Sequence, residues 1–153
     1  MTTDYKISQA RPADAAAIRQ LTRDAYAKWI PVIGREPKPM GADYDAAVLQ
    51  HRFDLLFANE DLVGLIETLD EGEQLLIVNV AVAPNVQGRG LGTRLMAHAD
   101  ALARSLGHPR VRLYTNKRFE QNIALYTKLG FTIEGEAQGA EAGTIRVDMS
   151  KAL

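Results

Sequence analysis

The 153-residue sequence predicts a single α/β domain, with a mixed central sheet of about six to seven strands flanked by about four helices. The first observation is an apolar run over residues 75–82, interrupted by Asn79 and rich in β-branched residues, which is typical of a strand buried on both faces. From Leu91 to Leu106 the apolar residues fall at helical spacing, so an amphipathic helix follows that strand. Residues 110–115 then alternate apolar and polar side chains, which indicates a next strand, parallel to the first across a right-handed crossover.

The segments before residue 53 predict an edge strand over residues 5–8 and a helix from Pro12 to about Trp29. Three prolines and a glycine between Trp29 and Met40 forbid a regular element there, yet the segment is partly apolar. It is either a structured loop over a cleft or a packed connection without a ligand. Asp43 caps a second, short helix that ends near His51.

The remaining strands are expected at residues 53–58 and 62–69, which form a hairpin, and at 131–134 and 144–149, around a glycine-rich turn at 135–143. Residues 123–129 form a helix that ends at Gly130. The last strand, from Thr144 to Met149, has the alternation of an exposed edge that pairs with a second copy, so we expect a homodimer.

The composition excludes several classes of function. Hydrophobic residues make up 46% and charged residues 24%, as in an ordinary soluble globular protein. The net charge of −1 lacks the excess of positive charge that binding to nucleic acid or an anionic membrane would need. The N-terminal segment lacks an apolar stretch of the kind found in secretory signals, and no run approaches membrane-spanning length. We therefore expect a cytoplasmic protein.

Cysteine and histidine usage disfavours metal and thiol chemistry. The sequence contains no Cys, which excludes disulfides, thiolate metal sites and a cysteine nucleophile. His51, His98 and His108 lack the spacing of metal ligands and are expected to have no carboxylate partner nearby, and His98 is expected to be structural. We therefore expect no metal.

The glycine-rich stretch between the central strand and its helix predicts a phosphate site. Gly88, Gly90 and Gly92 leave the unpaired N–H groups of a helix N-terminus open to an anion, with Arg89 and Arg94 beside them. A P-loop would need Lys-Ser/Thr where Thr93 and Arg94 stand, and the dinucleotide fingerprint would need a third glycine at position 93. The alternative is a glycine-rich turn that binds nothing.

Two motifs resemble the GNAT superfamily of acetyl-CoA-dependent N-acetyltransferases. Gln87, Gly90 and Gly92 match that family's acyl-CoA loop, Gln/Arg-x-x-Gly-x-Gly/Ala, after a strand that is similar to the family's own. One βα unit later, residues 122–131 read Asn-Ile-Ala-Leu-Tyr-Thr-Lys-Leu-Gly-Phe, again similar to the family. The resemblance covers most of the chain, is weakest before Phe53, and implies a GNAT-like fold over residues 1–153.

The resemblance also implies a site for acetyl-CoA and roles for individual residues. The backbone of Val80, Ala81 and Val82 would bind the pantetheine arm, and Asn122 its amides. The pyrophosphate would lie on Gln87, Gly88, Arg89, Gly90, Leu91, Gly92 and Thr93. Tyr126 would be the general acid beside the CoA sulfur, although its spacing equally fits a ring packed between a helix and a strand.

The sequence departs from the family's pattern at the expected position of the general base. Relatives often carry a glutamate there, whereas this chain has Ile77, Val78 and Asn79. Glu67 on the neighbouring strand is the candidate if it faces the cleft, and is a solvated strand residue if it does not. Water ordered by Asn79 or by backbone carbonyls is a further alternative. The acceptor pocket is expected to include Tyr26, Trp29, Arg35, Met40 and Asn79.

The resemblance implies transfer of an acetyl group from acetyl-CoA to a primary amine. The amine attacks the thioester directly, because Ser8, Ser105 and Ser150 are not placed as nucleophiles. We expect a small amine or an amino-acid-like acceptor. The alternative is a non-catalytic acyl-CoA-binding or sensor module of the same fold, whereas a nucleotide-binding kinase or reductase is disfavoured by the loop.

Overall fold

The computed structural model describes residues 3–141 and 143–153, and they form one α/β domain around a seven-stranded mixed sheet in the order β1-β2-β3-β4-β5-β7-β6. The strands are β1 (Tyr5–Gln9), β2 (Arg52–Ala58), β3 (Asp61–Asp70), β4 (Leu75–Val82), β5 (Arg110–Asn116), β6 (Thr132–Gln138) and β7 (Ile145–Ala152). The helices are α1 (Ala15–Tyr26), α2 (Ile30–Ile33), α3 (Tyr44–Gln50), α4 (Leu91–Ser105) and α5 (Glu120–Lys128). The predicted fold class is confirmed.

Helices cover both faces of the sheet and bury two apolar cores. On one face α4 packs Leu95 and Ala99, which are fully buried, against strand residues such as Ile66 and Val111. On the other face α1 and α3 pack against alternate residues of the same strands, with Ile18 and Tyr44 at the centre. Successive residues of a strand, such as Leu55 and Leu56 of β2, therefore point to different layers, as the pleat of a strand requires.

The parallel strands β4 and β5 pair at one end and then part. Their register joins residues 75–77 to 111–113, while both strands, which are described in full, continue beyond Ile77 and Leu113. A register shift between Glu67 and Thr68 leaves Val78 of β4 as the extra residue of a bulge, which bends the strand at this point. The β5-facing backbone groups of residues 78–82 are thereby left without a strand partner.

The segment between Trp29 and Met40 is more regular than predicted. Residues 30–33 form the helical turn α2, and Lys38–Gly41 form a 3₁₀ turn. Pro31 is tolerated because it lies in the first turn, where its missing N–H group would have no partner, and Gly34 ends the turn with φ 75°. The prediction that prolines exclude a regular element here was wrong.

The last two strands also differ from expectation. β6 extends to Gln138, so the turn before β7 is shorter than the predicted 135–143. β7 pairs with both β5 and β6 and is an interior strand, whereas β1 and β6 are the edges of the sheet. The expected exposed edge at residues 144–149 was therefore wrong, and the homodimer, which depended on it, stays a prediction.

No helix within residues 3–141 and 143–153 is both long enough and apolar enough to cross a membrane. Over the same ranges, no three or more His, Asp or Glu side chains are grouped so as to hold a metal ion. The cytoplasmic location stays a prediction.

We predict that Leu95→Ala will lower the free energy of unfolding by about 2–5 kcal/mol, because Leu95 is fully buried between α4 and the sheet and its truncation leaves a cavity. Leu106, at the end of the same helix, is 45% exposed, so Leu106→Ala should cost less than about 1 kcal/mol. Urea denaturation measures both. Equal losses would contradict the assignment of the core to this face of α4.

Candidate functional site

A cavity of about 450 Å³ opens where β4 and β5 part. Its walls come from β3 to β5, from the end of α1, from α5, and from two loop segments, at residues 34–43 and 139–141, together with the first residues of α3 and β7. The two loop segments are joined by an ion pair between Arg35 and Glu141 at 2.8 Å. The cavity therefore has a floor of sheet residues and a rim of loops.

The loop from Gln87 to Thr93 presents a row of free backbone donors. In the part of the chain that the structure describes, none of the N–H groups of residues 88–93 donates to a backbone carbonyl or a side chain. The first intrahelical bond of α4 runs from Arg94 N to Gly90 O at 3.1 Å. These N–H groups lie at the positive end of the dipole of a 15-residue helix, which favours phosphate oxygens.

Two of the loop glycines are required by backbone conformation. Gly88 and Gly90 have φ values of 83° and 78°, in the left-handed region that L side chains rarely adopt. Open space surrounds the position of a Cβ at both residues, so conformation rather than crowding selects glycine. Gly92 is helical, and a Cβ there would make ordinary contact with Leu125.

Gln87 fixes the start of the loop and brings a cation to it. Its Nε2 donates to Val82 O at 3.0 Å, and its Oε1 accepts from Lys28 Nζ at 3.0 Å. Burial lowers the pKa of Lys28. Of the two predicted arginines, Arg89 is exposed, while the Arg94 guanidinium lies over the Tyr5 ring at 4.9 Å.

Tyr126 and Asn122 of α5 line the cavity from the side of β5, as their spacing of one helical turn allows. The Tyr126 ring packs against Phe131, with ring centroids 6.1 Å apart. Burial raises the pKa of Tyr126 to about 12, so its hydroxyl remains a proton donor at neutral and moderately alkaline pH. Tyr126 therefore both packs at the seam between helix and strand and presents its side chain to the cavity.

Tyr26 and Asn79 form a polar contact on the opposite wall. The Tyr26 hydroxyl donates to Asn79 Oδ1 at 2.7 Å, and Asn79 is only 4% exposed. Its Nδ2 has no acceptor among the described residues and therefore offers a buried donor beside the cavity. The pKa of Tyr26 is raised well above its usual value, chiefly by burial and next by the neighbouring phenol of Tyr126.

Glu67 faces the cavity and is paired with His51. The two strands place Glu67 opposite Asn79, so both side chains point to the same face of the sheet. Glu67 Oε2 lies 2.6 Å from His51 Nδ1, and the His51 ring also lines the cavity. Burial raises the pKa of Glu67, an effect that the hydrogen bond to His51 opposes.

Three residues predicted for the acceptor pocket lie outside the cavity wall. Trp29 is buried behind it and stacks on Phe119 with ring centroids 4.4 Å apart. The Arg35 side chain points to the rim, where it pairs with Glu141, and Met40 is buried beneath the loop segment. The cavity thus brings together Tyr26, Asn79, Val80, Glu67, Asn122 and Tyr126. Ala81 and Val82 follow on β4, and residues 87–93 lie beyond the cavity at the end of that strand.

The prediction that the histidines lack carboxylate partners was wrong. All three histidines have carboxylate partners: His51 with Glu67, His98 with Asp54 at 3.3 Å, and His108 with Asp70 at 2.6 Å. The partners are distant in sequence and meet through the sheet, so local spacing did not predict them. His51 is the functional candidate that the sequence analysis missed, because its only sequence signal was its place between α3 and β2.

Residues 16–131 match the model of the Acetyltransferase (GNAT) family. The 5-NmdU N-acetyltransferase of Pseudomonas phage PaMx11 is 42% identical over 62 residues, which are 40% of this chain and 42% of the relative. The uncharacterized N-acetyltransferase YvbK of Bacillus subtilis (strain 168) is 32% identical over 79 residues, 51% of each protein. The chain thus spans about half the length, or less, of these curated relatives.

Solved structures are similar over nearly the whole chain. PaiA N-acetyltransferase from Thermoplasma acidophilum, in complex with coenzyme A, superposes with a TM-score of 0.80 over 98% of this chain and 99% of its own, at 16% identity. YncA from Salmonella typhimurium, with acetyl-CoA, has a TM-score of 0.75 over 98% and 94%, at 22% identity. At these identities the likeness is one of fold.

Proposed function

Because the chain belongs to the GNAT family of acetyltransferases, we propose that it transfers an acetyl group from acetyl-CoA to the primary amine of a small-molecule acceptor. The observation that carries the proposal is the parting of β4 and β5 after Ile77 and Leu113. Because the strands part, the row of free N–H groups at residues 88–93 leads to a cavity. That cavity is lined by the Tyr126 phenol and by the carboxylate–imidazole pair of Glu67 and His51. Binding, proton donation and proton removal thus have groups along one continuous site.

Acetyl-CoA would lie along β4 and across the start of α4. Its pyrophosphate would accept hydrogen bonds from the backbone of residues 88–93, with Lys28 adding positive charge. The pantetheine arm would pair with the backbone of Val80, Ala81 and Val82, where β4 has no partner strand on its β5 side, and with the Asn122 side chain. Both CoA and acetyl-CoA are bound by structural neighbours of the same fold, which supports the assignment.

The chemistry is direct attack of the amine on the thioester. The C–N bond forms as the carbonyl π electrons move to oxygen, and collapse then breaks the C–S bond with its electron pair on sulfur. The Tyr126 hydroxyl donates its proton to that thiolate. The nitrogen of the new amide then loses a proton, which restores the hydroxyl of Tyr126. The sequence has no Cys, and none of its three serines lines the cavity, which supports a reaction without an acyl-enzyme.

The charges of the cavity favour an acceptor with a single ammonium group. Among the described residues that line it, the carboxylates are Glu67, which contacts His51, and Glu141, which Arg35 already neutralises. A polycation would therefore find little compensation for its charge. Lys38 and Arg146 also line the cavity, and Arg146, although it contacts Asp148 at 3.3 Å, has further N–H donors for a carboxylate on the acceptor. An amino-acid-like amine is therefore the proposed class.

We predict that acetyl-CoA will raise the melting temperature of the wild-type protein, and that Gly90→Val will abolish this gain. A β-branched residue does not tolerate the φ of 78° at the loop, so the N–H row is disrupted. Gly107→Val, at the other end of α4 with φ 77°, is the matched control: it carries the same strain but should keep the acetyl-CoA effect. A Gly90→Val protein that is stabilised as fully as the wild type would refute the loop assignment.

We predict that Tyr126→Phe will lower kcat on the order of 10²–10⁴-fold, toward the lower end because a thiol is already a fairly acidic leaving group. Affinity for acetyl-CoA should be nearly unchanged, since the ring is kept. In the wild type the pKa of about 12 keeps the phenol protonated, so kcat should not fall through loss of this proton up to about pH 10.

Tyr5→Phe, on the edge strand β1, is the control and should leave kcat unchanged. Wild-type kcat in Tyr126→Phe, or a loss that only follows a lowered melting temperature, would make Tyr126 a packing residue.

We predict that amines with one ammonium and a carboxylate will release CoA faster than polyamines or aminoglycosides when a panel is assayed with acetyl-CoA.

Arg146→Gln should raise KM for the carboxylate-bearing amines by about ten- to a hundredfold, the effect of a lost charge-assisted hydrogen bond, and leave simple amines unaffected. An equal effect on both groups would contradict this role for Arg146. Acetyl-CoA binding without CoA release from any amine would favour the non-catalytic acyl-CoA-binding module.

A further inference from the structure

We infer that the Nε2 atom of His51 takes the proton from the acceptor ammonium, and that Glu67 is the positioning residue that holds the imidazole for this task. The inference rests on the proposed acetyl transfer and names the group that starts it. Family resemblance pointed only to a carboxylate, and the sequence offered Glu67. The contact between Glu67 and His51 changes which of the two meets the substrate.

The geometry separates the two residues by depth. His51 follows the last residue of α3 and directly precedes β2, while Glu67 lies on β3 within the sheet. Glu67 Oε2 and His51 Nδ1 are 2.6 Å apart, a short distance typical of a hydrogen bond to a charged group. The Glu67 side chain is 6% exposed and that of His51 is 26% exposed, so the ring is the more accessible member on the cavity wall.

The hydrogen bond sets the protonation of the ring. A carboxylate next to Nδ1 accepts a hydrogen bond, so the proton of the neutral imidazole lies on Nδ1 and the Nε2 lone pair is left as the base. Within residues 3–141 and 143–153, no side chain or backbone group is hydrogen-bonded to Nε2. The buried carboxylate also stabilises the imidazolium that forms after the proton has moved.

The proton balance of the step is simple. An amine arrives as an ammonium, whose nitrogen has no lone pair for attack. Nε2 of His51 accepts one proton, the ammonium becomes a neutral amine, and its lone pair forms the C–N bond with the thioester carbon. The imidazolium then returns its proton to solvent after the amide and CoA have formed.

Other titratable groups around the pair keep their charge while the imidazole changes its own. Tyr44 of α3 and Tyr26 of α1 both have a raised pKa, about 12 for Tyr44, mainly because of burial. Tyr126 of α5 is neutral for the same reason. Four further charged side chains lie near the pair or on the cavity wall. Three of them are held in ion pairs: Arg52 with Asp54, Glu141 with Arg35, and Arg146 with Asp148. The fourth is Lys38.

The test compares His51→Gln and Glu67→Gln by steady-state kinetics with the best amine of the panel. His51→Gln should lower kcat/KM on the order of 10²–10⁴-fold. Its amide still donates to Glu67, so the fold and the acetyl-CoA-induced rise in melting temperature should be kept. His108→Gln is the matched control, because His108 also lies 2.6 Å from a carboxylate, Asp70, but not on the cavity wall, and should retain wild-type turnover.

The pH profile distinguishes a base from a structural residue. In the wild type, kcat/KM should rise with pH as the base loses its proton, and His51→Gln should remove that pH dependence. Glu67→Gln should lose less activity than His51→Gln and keep the pH dependence, because the imidazole that accepts the proton is still present. The double variant should be no slower than His51→Gln, since both residues serve one proton transfer.

Two outcomes would overturn the inference. One is a Glu67→Gln variant that loses more activity than His51→Gln, which would make Glu67 the direct base. The other is a ¹⁵N NMR spectrum of the neutral His51 ring with its proton on Nε2 instead of Nδ1, a readout that needs no substrate. A wild-type protein that binds acetyl-CoA but acetylates no amine would instead refute the proposed function.

Discussion

The parting of β4 and β5 is the constraint on which the site depends. Two parallel strands that paired along their whole length would bury the backbone of residues 78–82 and close the cavity. The bulge at Val78 and the pairing of β5 with β7 draw the strands to different sides. The parting exposes the backbone edge of β4, and this edge continues into the loop before α4. A ligand bound to the loop can therefore extend into the gap.

The gap also lets the two helical layers share one site. Glu67, Asn79 and Tyr26 belong to the layer of α1 and α3, whereas Tyr126 comes from α5 and packs with the other core. The neighbouring Tyr126 phenol raises the pKa of Tyr26 in addition to burial, so the two phenols lie near each other. Under the proposal, proton removal therefore belongs to the layer of α1 and α3 and proton donation to α5.

Burying polar groups at this point costs stability, and the site limits the cost by pairing them. A buried carboxylate without a partner is destabilising by several kcal/mol, and Glu67 has His51. Asn79 has the Tyr26 hydroxyl on Oδ1, but its Nδ2 is unsatisfied among the described residues. A ligand atom that accepts from Nδ2 would remove that penalty, and this would contribute to the free energy of binding.

What the sequence predicted well was local. The strand, glycine loop and α4 are contiguous, and their chemistry follows from Gly88, Gly90 and a helix N-terminus. What it could not predict depends on strand order and distant pairing: β7 is an interior strand although its own alternation fits an edge. His51 meets Glu67 because α3 ends beside the β2–β3 hairpin, and Pro31 is helical because of its place in the first turn. The spacing of residues along the chain predicts neither the contact between His51 and Glu67 nor the helical turn at Pro31.

The most direct test of the account is a crystal structure of the protein with acetyl-CoA. The account predicts pyrophosphate oxygens on the N–H groups of residues 88–93, the pantetheine arm along the free edge of β4, and the thioester sulfur beside the Tyr126 hydroxyl. The His51 ring would then face the acetyl carbonyl carbon across the space left for the acceptor. Acetyl-CoA bound elsewhere, or with its thioester outside the gap between β4 and β5, would contradict it.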